Sequence, residues 1–249
     1  RCSWSPAKRR AGTPACPPAP GAWAARLSDV VREGGVEIAS TFTHFHSAET
    51  DEPATREQWR RLERAVAALR AAGVDPGLTH AANSAAAMEY SGVAADVVRV
   101  GVWLYGVEVA GRRPAPVASV RARVLDVRDV RPGSTVSYGA TWTATEPARL
   151  ATLGIGYADG LRRCLSGHGR ALIRGRSAPI RGVVTMDSTV VEVTGRDDVR
   201  PGDVATLLGR DGEEEITPEE LAEACGTIGY EILTGWSARV PRIGIDGDA

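Results

Sequence analysis

The sequence contains one lysine, Lys8, and no apolar run of the roughly 18 residues that a membrane-spanning helix needs. A transmembrane span is therefore excluded. The formal net charge is only −1, so the charge balance does not favour nucleic acid or an anionic membrane as a partner. The first 22 residues also lack the apolar segment of a secretory signal. Together these absences predict a cytoplasmic protein.

Cysteine is scarce, and its spacing is uninformative. The four cysteines are Cys2, Cys16, Cys164 and Cys225, with no CxxC pair among them. This spacing gives no pattern of a metal site. Because disulfides are rare in the cytoplasm, we expect four free thiols.

The composition is otherwise that of an ordinary globular protein, with 43% hydrophobic and 24% charged residues. Residues 1–22 differ, because prolines and basic side chains leave nothing to pack, and we expect a disordered tail there. Amphipathic helix patterns then alternate with short β-rich runs over residues 23–112. Thr55 and Gln58 have the spacing of a capping box, which predicts a helix ending at Gly73.

The pattern changes near Pro114-Ala115-Pro116, after which apolar and polar residues alternate in the manner of half-buried strands. Pro-Gly and Gly-Arg turns separate several such runs. One helix interrupts them, with Thr217 as its cap, Pro218 at its first position and Gly226 at its end. Residues 116–249 are therefore predicted to form a β-domain.

The predicted fold class is α/β plus all-β, an incomplete (β/α) barrel followed by a C-terminal β-domain. A complete eight-stranded barrel takes about 200–250 residues, far more than the first part supplies. We expect a chain that begins partway through such a barrel.

Two groups of polar residues follow predicted strands in the first part. His44 and His46 share one face if their strand continues, and such a pair is compatible either with a divalent metal or with packed, hydrogen-bonded histidines. Asn83-Ser84 opens a helix and is compatible either with simple capping or with phosphate binding. Arg99 lies within an apolar strand and needs a polar partner there.

A tyrosine set between glycines is the most informative motif of the second part. Tyr157 stands in Gly156-Tyr157-Ala158-Asp159-Gly160, where glycines allow a ligand to approach the backbone closely. A tyrosine side chain ordinarily titrates near pH ~10, so one that acts as a base needs a site favouring the phenolate.

Taken in order with Ser137-Tyr138-Gly139, Met186-Asp187, Thr227-Ile228-Gly229-Tyr230 and Arg239-Val240-Pro241-Arg242, these motifs resemble alanine racemase over residues 23–243. That family interconverts L- and D-alanine with pyridoxal 5'-phosphate (PLP) and supplies D-alanine for peptidoglycan. The resemblance implies a homodimer with shared active sites. It also implies that the family's cofactor lysine has no counterpart here, because Lys8 lies outside any matching motif.

The resemblance assigns roles to individual residues. It implies that Tyr157 is the catalytic base on the L-alanine face and that the backbone of Met186 binds the substrate carboxylate. His44 would lie against the cofactor ring and Arg99 at its ring nitrogen. The remaining cofactor-binding residues would surround the phosphate: Ser84, Gly101, Val102 and Tyr230.

Two alternatives compete with an alanine racemase that is weak or inactive as this chain alone. One is a non-catalytic remnant of the family that still dimerises through its β-domain. The other is a metal hydrolase built on His44 and His46.

Overall fold

A computed structural model describes residues 20–34 and 36–244. The chain forms two compact units: the first runs to Leu104 and includes Glu108–Arg113, and the second comprises Tyr105–Val107 and the residues from Pro114 onward. Most of the predicted tail, residues 1–19, lies outside the described residues. Residues 20–22 are helical, contrary to the prediction, because a helix starts at Pro20. Proline suits a first helical position, where its missing N–H donor would have no partner anyway.

The first unit consists of short parallel strands and helices. Its elements are α1 (Pro20–Arg32), β1 (Ser40–Phe42), α2 (Glu52–Ala71), β2 (Leu78–His80), α3 (Ser84–Glu89) and a 3₁₀ turn at Val102–Tyr105. Strands β1 and β2 pair in parallel, and His80 forms a further parallel bridge to Val97. The strands are shorter than the apolar runs of the sequence. The parallel arrangement places the carboxyl ends of all three segments at one edge.

Helix α2 starts earlier than its predicted capping box. Its cap is Asp51, whose Oδ1 accepts a hydrogen bond of 2.9 Å from the Ala54 N–H. Thr55 is instead a buried residue of the first turn, and its hydroxyl donates to the Asp51 carbonyl. Pro53 explains the earlier start, because proline is well accommodated in the first turn of a helix. The inner face of α2 carries Leu62 and Val66 into the main apolar cluster of the unit.

The second unit is an antiparallel sheet with two short helices. Its strands are β3 (Val120–Val130), β4 (Thr135–Val136), β5 (Trp142–Thr143), β6 (Ala148–Leu153), β7 (Arg170–Ile173), β8 (Arg176–Pro179), β9 (Thr189–Glu192), β10 (Val204–Asp211) and β11 (Glu214–Ile216). The main sheet has the order β8-β7-β10-β3-β6-β9, with β11 paired to β10 and β4 paired to β5 separately.

The helices of this unit are α4 (Pro218–Cys225) and α5 (Gly229–Thr234). Helix α4 was predicted, and Thr217 caps it by accepting from the Glu220 N–H at 3.1 Å. Helix α5 was not predicted, because it has six residues and no side-chain cap. No described helix is both long and apolar enough to cross a membrane.

A disulfide joins Cys164, in a 3₁₀ turn at Arg163–Leu165, to Cys225 at the end of α4, with Cα atoms 5.3 Å apart. The expectation of free thiols is therefore wrong for these two residues. Sequence spacing did not reveal the pair because 61 positions separate its members, and only the packing of α4 against the turn brings them together. Cys2 and Cys16 lie outside the described residues.

Candidate active site

Arg99 is the central polar residue of the first unit. It follows the bridge at Val97 by two positions, and its N–H donates to the Ala82 carbonyl at 2.8 Å. Its Nη2 donates to the carbonyls of Thr43 at 2.9 Å and Ala81 at 3.3 Å. These carbonyls follow β1 and β2, so the ends of both strands hold the guanidinium. The partner that the sequence analysis required for Arg99 is therefore largely backbone.

Two histidines flank this guanidinium. His44 Nδ1 lies 3.1 Å from Arg99 Nη2, and His80 Nδ1 is hydrogen-bonded to Arg99 Nη1. An arginine has donors only, so both imidazole nitrogens must accept, and each neutral ring carries its proton on Nε2. Phe42 supports the group, stacking on the His80 ring at 5.0 Å and lying 5.3 Å from the Arg99 guanidinium.

Burial and charge lower the pKa values of two members of this cluster, His80 and Arg99. Partial burial lowers the pKa of His80 below its ordinary value of 6.5, and the positive charge of Arg99 lowers it further. Burial also lowers the pKa of Arg99, which stays protonated at neutral pH. The cluster therefore presents one fixed positive charge beside a His80 ring whose pKa is lowered.

His80 was not among the predicted site residues. Its partner Arg99 lies 19 positions further along the chain, and the sequence around His80 contains no second histidine to suggest a role. The one available signal was its place within the predicted strand from Leu78 to Ala82.

Ser84 and Gly101 form a second polar group of the first unit. Asn83 is the cap of α3, accepting from the Ala86 N–H at 2.9 Å, so the capping prediction is correct for this residue. The Gly101 N–H donates to the buried Ser84 hydroxyl at 3.2 Å, and Val102 opens the adjoining 3₁₀ turn. Because that hydroxyl accepts one bond, its own proton is still available to a ligand.

The arrangement does not support a metal centre on His44 and His46. Strand β1 ends at Phe42, so the two-residue alternation that would align these side chains does not apply. His44 is bonded to Arg99, whereas His46 Nδ1 lies 2.6 Å from the Ser47 hydroxyl. Over residues 20–34 and 36–244, no three His, Cys, Asp or Glu side chains are grouped to hold a metal ion.

The tyrosine motif of the second unit pairs with the segment that carries Met186. Tyr157 N–H donates to the Thr185 carbonyl at 2.9 Å, and Ala158 N–H donates to the Met186 carbonyl at 3.0 Å. A Cβ at Gly156 would collide with the carbonyl oxygens of Thr185 and Met186, so this close pairing requires glycine. Tyr157 and Met186 keep 43% and 52% of their surface exposed, which leaves both available to a ligand.

Tyr230 belongs to α5 and is 45% exposed. The Thr234 hydroxyl donates to its carbonyl at 2.8 Å, closing the last turn of this short helix. The structure thus brings His44 to Arg99, Ser84 to Gly101, and Tyr157 to Met186. Tyr230 is a half-exposed tyrosine of the second unit.

Comparisons with known proteins match both units of the chain to the two domains of one family. Residues 117–244 match the family described as "Alanine racemase, C-terminal domain", and residues 10–109 match "Alanine racemase, N-terminal domain". An alanine racemase of Symbiobacterium thermophilum is 44% identical over 220 residues, which are 86% of this chain and 58% of that protein.

Solved structures give the same result. Alanine racemase from Bacillus anthracis, solved with bound L-Ala-P, is 35% identical with a TM-score of 0.81, over 90% of this chain and 59% of the other. Alanine racemase from Bartonella henselae, solved with covalently bound pyridoxal phosphate, is 30% identical with a TM-score of 0.77, over 89% and 60%. The chain spans little more than half the length of the relatives it matches, 56% and 58% for two of them.

Proposed function

Because the chain belongs to the alanine racemase family, we propose that it serves a PLP-dependent racemase, an isomerase that interconverts L- and D-alanine. The enzyme would act in the cytoplasm, and the D-alanine that it forms would be used for peptidoglycan. The observation that carries this proposal is Arg99, a permanently charged donor held by two strand-end carbonyls with a neutral imidazole 3.1 Å away. No metal grouping over the described residues supports a hydrolase instead.

The residues of the first unit fit PLP at its ring nitrogen and its phosphate. The cofactor acts as an electron sink that makes the α C–H of a bound amino acid acidic. Arg99 would donate a hydrogen bond to the ring nitrogen without releasing its proton, and His44 would lie against the ring. The Ser84 hydroxyl and the N–H groups of Gly101 and Val102 would donate to phosphate oxygens.

The described residues contain no lysine that could anchor the cofactor. The only lysine of the sequence, Lys8, lies outside them. We therefore expect this chain by itself to show little racemisation.

The residues of the second unit fit the proton transfer and the substrate carboxylate. Tyr157 would remove or return the α-proton on the L-alanine face. Two backbone hydrogen bonds, from Tyr157 and Ala158, hold its loop in place. The N–H of Met186 would donate to the carboxylate of alanine, and Tyr230 would contribute a phenol to the phosphate site.

The first test uses a chimaera, called the completed protein, which joins this chain to the part of the Symbiobacterium relative that lies outside the matched region. Tyr157→Phe removes only the phenol oxygen, so we expect folding to persist and racemisation to fall by about 10²–10⁴-fold, the usual contribution of a positioned acid–base group. Tyr138→Phe is the matched control, because Tyr138 is a 78% exposed tyrosine of the same unit outside the proposed site. Equal activity of the two variants would refute the role of Tyr157.

A homodimer with shared sites is the finer part of the proposal, in which Tyr157 would act in the partner's site. Completed Tyr157→Phe subunits, mixed with completed subunits that lack the lysine, should regain part of the activity, because one hybrid site recovers both groups. Absence of recovery in well-mixed heterodimers would contradict sharing, even if Tyr157 itself proved essential.

A further inference from the structure

Arg239 contacts two carboxylates in the second unit, each close in sequence to a proposed site residue. Its Nη2 donates to Asp187 Oδ1 at 2.7 Å, and its Nε lies 3.3 Å from Asp159 Oδ1. Asp187 immediately follows Met186, and Asp159 follows Tyr157 by two positions. One side chain thus connects the Tyr157 loop, residues 156–160, with the Met186 loop, residues 185–188.

Asp159 is the well-anchored end of this connection. Its side chain is only 13% exposed, and its second oxygen, Oδ2, accepts from the Gly156 N–H at 2.9 Å. Its carbonyl accepts from the Ser237 N–H at 2.9 Å, which fixes the turn from which Arg239 projects. The aspartate therefore holds both the start of the Tyr157 loop and the base of the arginine.

Asp187 is the exposed end, with 62% of its side chain accessible. The hydrogen bond that Arg239 donates to Asp187 and the charge of Asp159 raise the pKa of Arg239, which is protonated throughout the physiological pH range. An exposed ion pair contributes little to stability, so a purely stabilising role would be minor. Geometry is the larger effect, because the planar fork of a guanidinium serves two carboxylates in fixed directions, which an ammonium does not.

We propose that Arg239 is a positioning residue, which holds the Tyr157 loop against the Met186 loop so that the phenol and the Met186 N–H keep the spacing that alanine needs. This inference rests on the proposed function of those two residues. Apart from Arg239, the connection depends mainly on the two backbone hydrogen bonds from Tyr157 and Ala158. Misplacement of a reacting group by about 1 Å is enough to lower a rate by about 10²-fold.

The first arm of the test measures amide hydrogen exchange by NMR in the chain as it stands. Arg239→Met should accelerate exchange at Tyr157 and Ala158 by about tenfold or more, as expected for loosened local contacts. Exchange in the β7–β10 ladder should not change. Arg239→Lys should give an intermediate rate, because an ammonium reaches one carboxylate at a time. The matched control is Arg176→Met. This substitution removes a comparably exposed ion pair, in which Arg176 Nη2 lies 2.8 Å from Asp198 Oδ2.

Two results of this arm would overturn the inference. Unchanged exchange at Tyr157 and Ala158 in Arg239→Met would show that the bridge does not hold the loops. An equal acceleration throughout the sheet would show that Arg239 only stabilises the fold.

The second arm measures kcat/KM in the completed protein, corrected for the folded fraction. We expect kcat/KM to fall by roughly 10–100-fold in Arg239→Met and by less in Arg239→Lys. Arg176→Met should keep the wild-type kcat/KM. Full activity of folded Arg239→Met would also overturn the inference. If the completed wild-type protein fails to racemise alanine, the proposed function is wrong, and the exchange arm still decides whether Arg239 holds the loops.

Discussion

At the scale of single residues, Gly156 has no room for a side chain, because an added Cβ would meet the carbonyl oxygens of Thr185 and Met186. We expect Gly156→Ala to lower the free energy of unfolding by about 1–3 kcal/mol, the usual cost of overpacking. Gly154→Ala is the matched control, since the nearest atoms to its added methyl belong to the Leu125 side chain, at 3.3 Å, and this side chain is 57% exposed and can shift. Equal denaturation midpoints for the two variants would contradict the requirement for glycine at position 156.

His80 should make stability depend on pH in a defined direction. Its folded pKa is lower than 6.5, so below pH 6.5 the unfolded chain binds a proton that the folded protein resists. The free energy of unfolding should therefore be fully retained above pH 6.5 and decline as the pH falls through the lowered pKa. His80→Gln should flatten this part of the profile, measured by urea denaturation from pH 7.5 to 5. His168→Gln, a change at an exposed histidine of the other unit, should leave it unaltered.

Single residues also show how much of the candidate site could be predicted from the sequence. His44, Ser84, Arg99 and Tyr157 stand in recognisable motifs, so each was named in advance. The hydrogen bond between His80 and Arg99, and the one between Ser84 and Gly101, depend on which strand ends lie side by side. Single-chain spacing does not encode that adjacency, and the same reason hid the link from Arg239 to Asp187.

At the scale of elements, helix α4 and the 3₁₀ turn at Arg163–Leu165 are joined covalently by Cys164 and Cys225. Reduction should lower the free energy of unfolding by roughly 2–4 kcal/mol, because a link across a long loop restricts the unfolded chain. Denaturation with and without a phosphine reductant measures this. The control is the Cys164→Ala/Cys225→Ala double variant, whose stability should be low in both conditions and insensitive to the reductant. A wild-type midpoint that does not respond to complete reduction would contradict the expectation.

Helices were easier to predict than strands, for a physical reason. The cap at Thr217 and the end at Gly226 are local signals, and α4 has these bounds. Strands β1 and β2 are only three residues each, because the pairing of a strand depends on its neighbour rather than on its own apolar run. The start of α2 was misplaced because Asp51 and Thr55 both satisfy the local pattern of a cap, and only Asp51 accepts from the free N–H of Ala54.

At the scale of the whole molecule, the change from alternating helix and strand to alternating apolar and polar residues predicted the fold class, and the structure confirms it. A parallel pair of strands with helices in the first unit and an antiparallel sheet in the second are the direct expression of those two periodicities. The order of the seven strands in the main sheet was beyond prediction, since it depends on long-range contacts such as β3 with β10.

The disulfide also affects how the molecule would respond to a cut in its backbone. Strands β7 to β11 and nearly all of α4 lie between Cys164 and Cys225. A protease that cleaves once anywhere in this stretch would leave both fragments attached through sulfur. The nicked protein would run as a single species on a non-reducing gel and separate into two only after reduction.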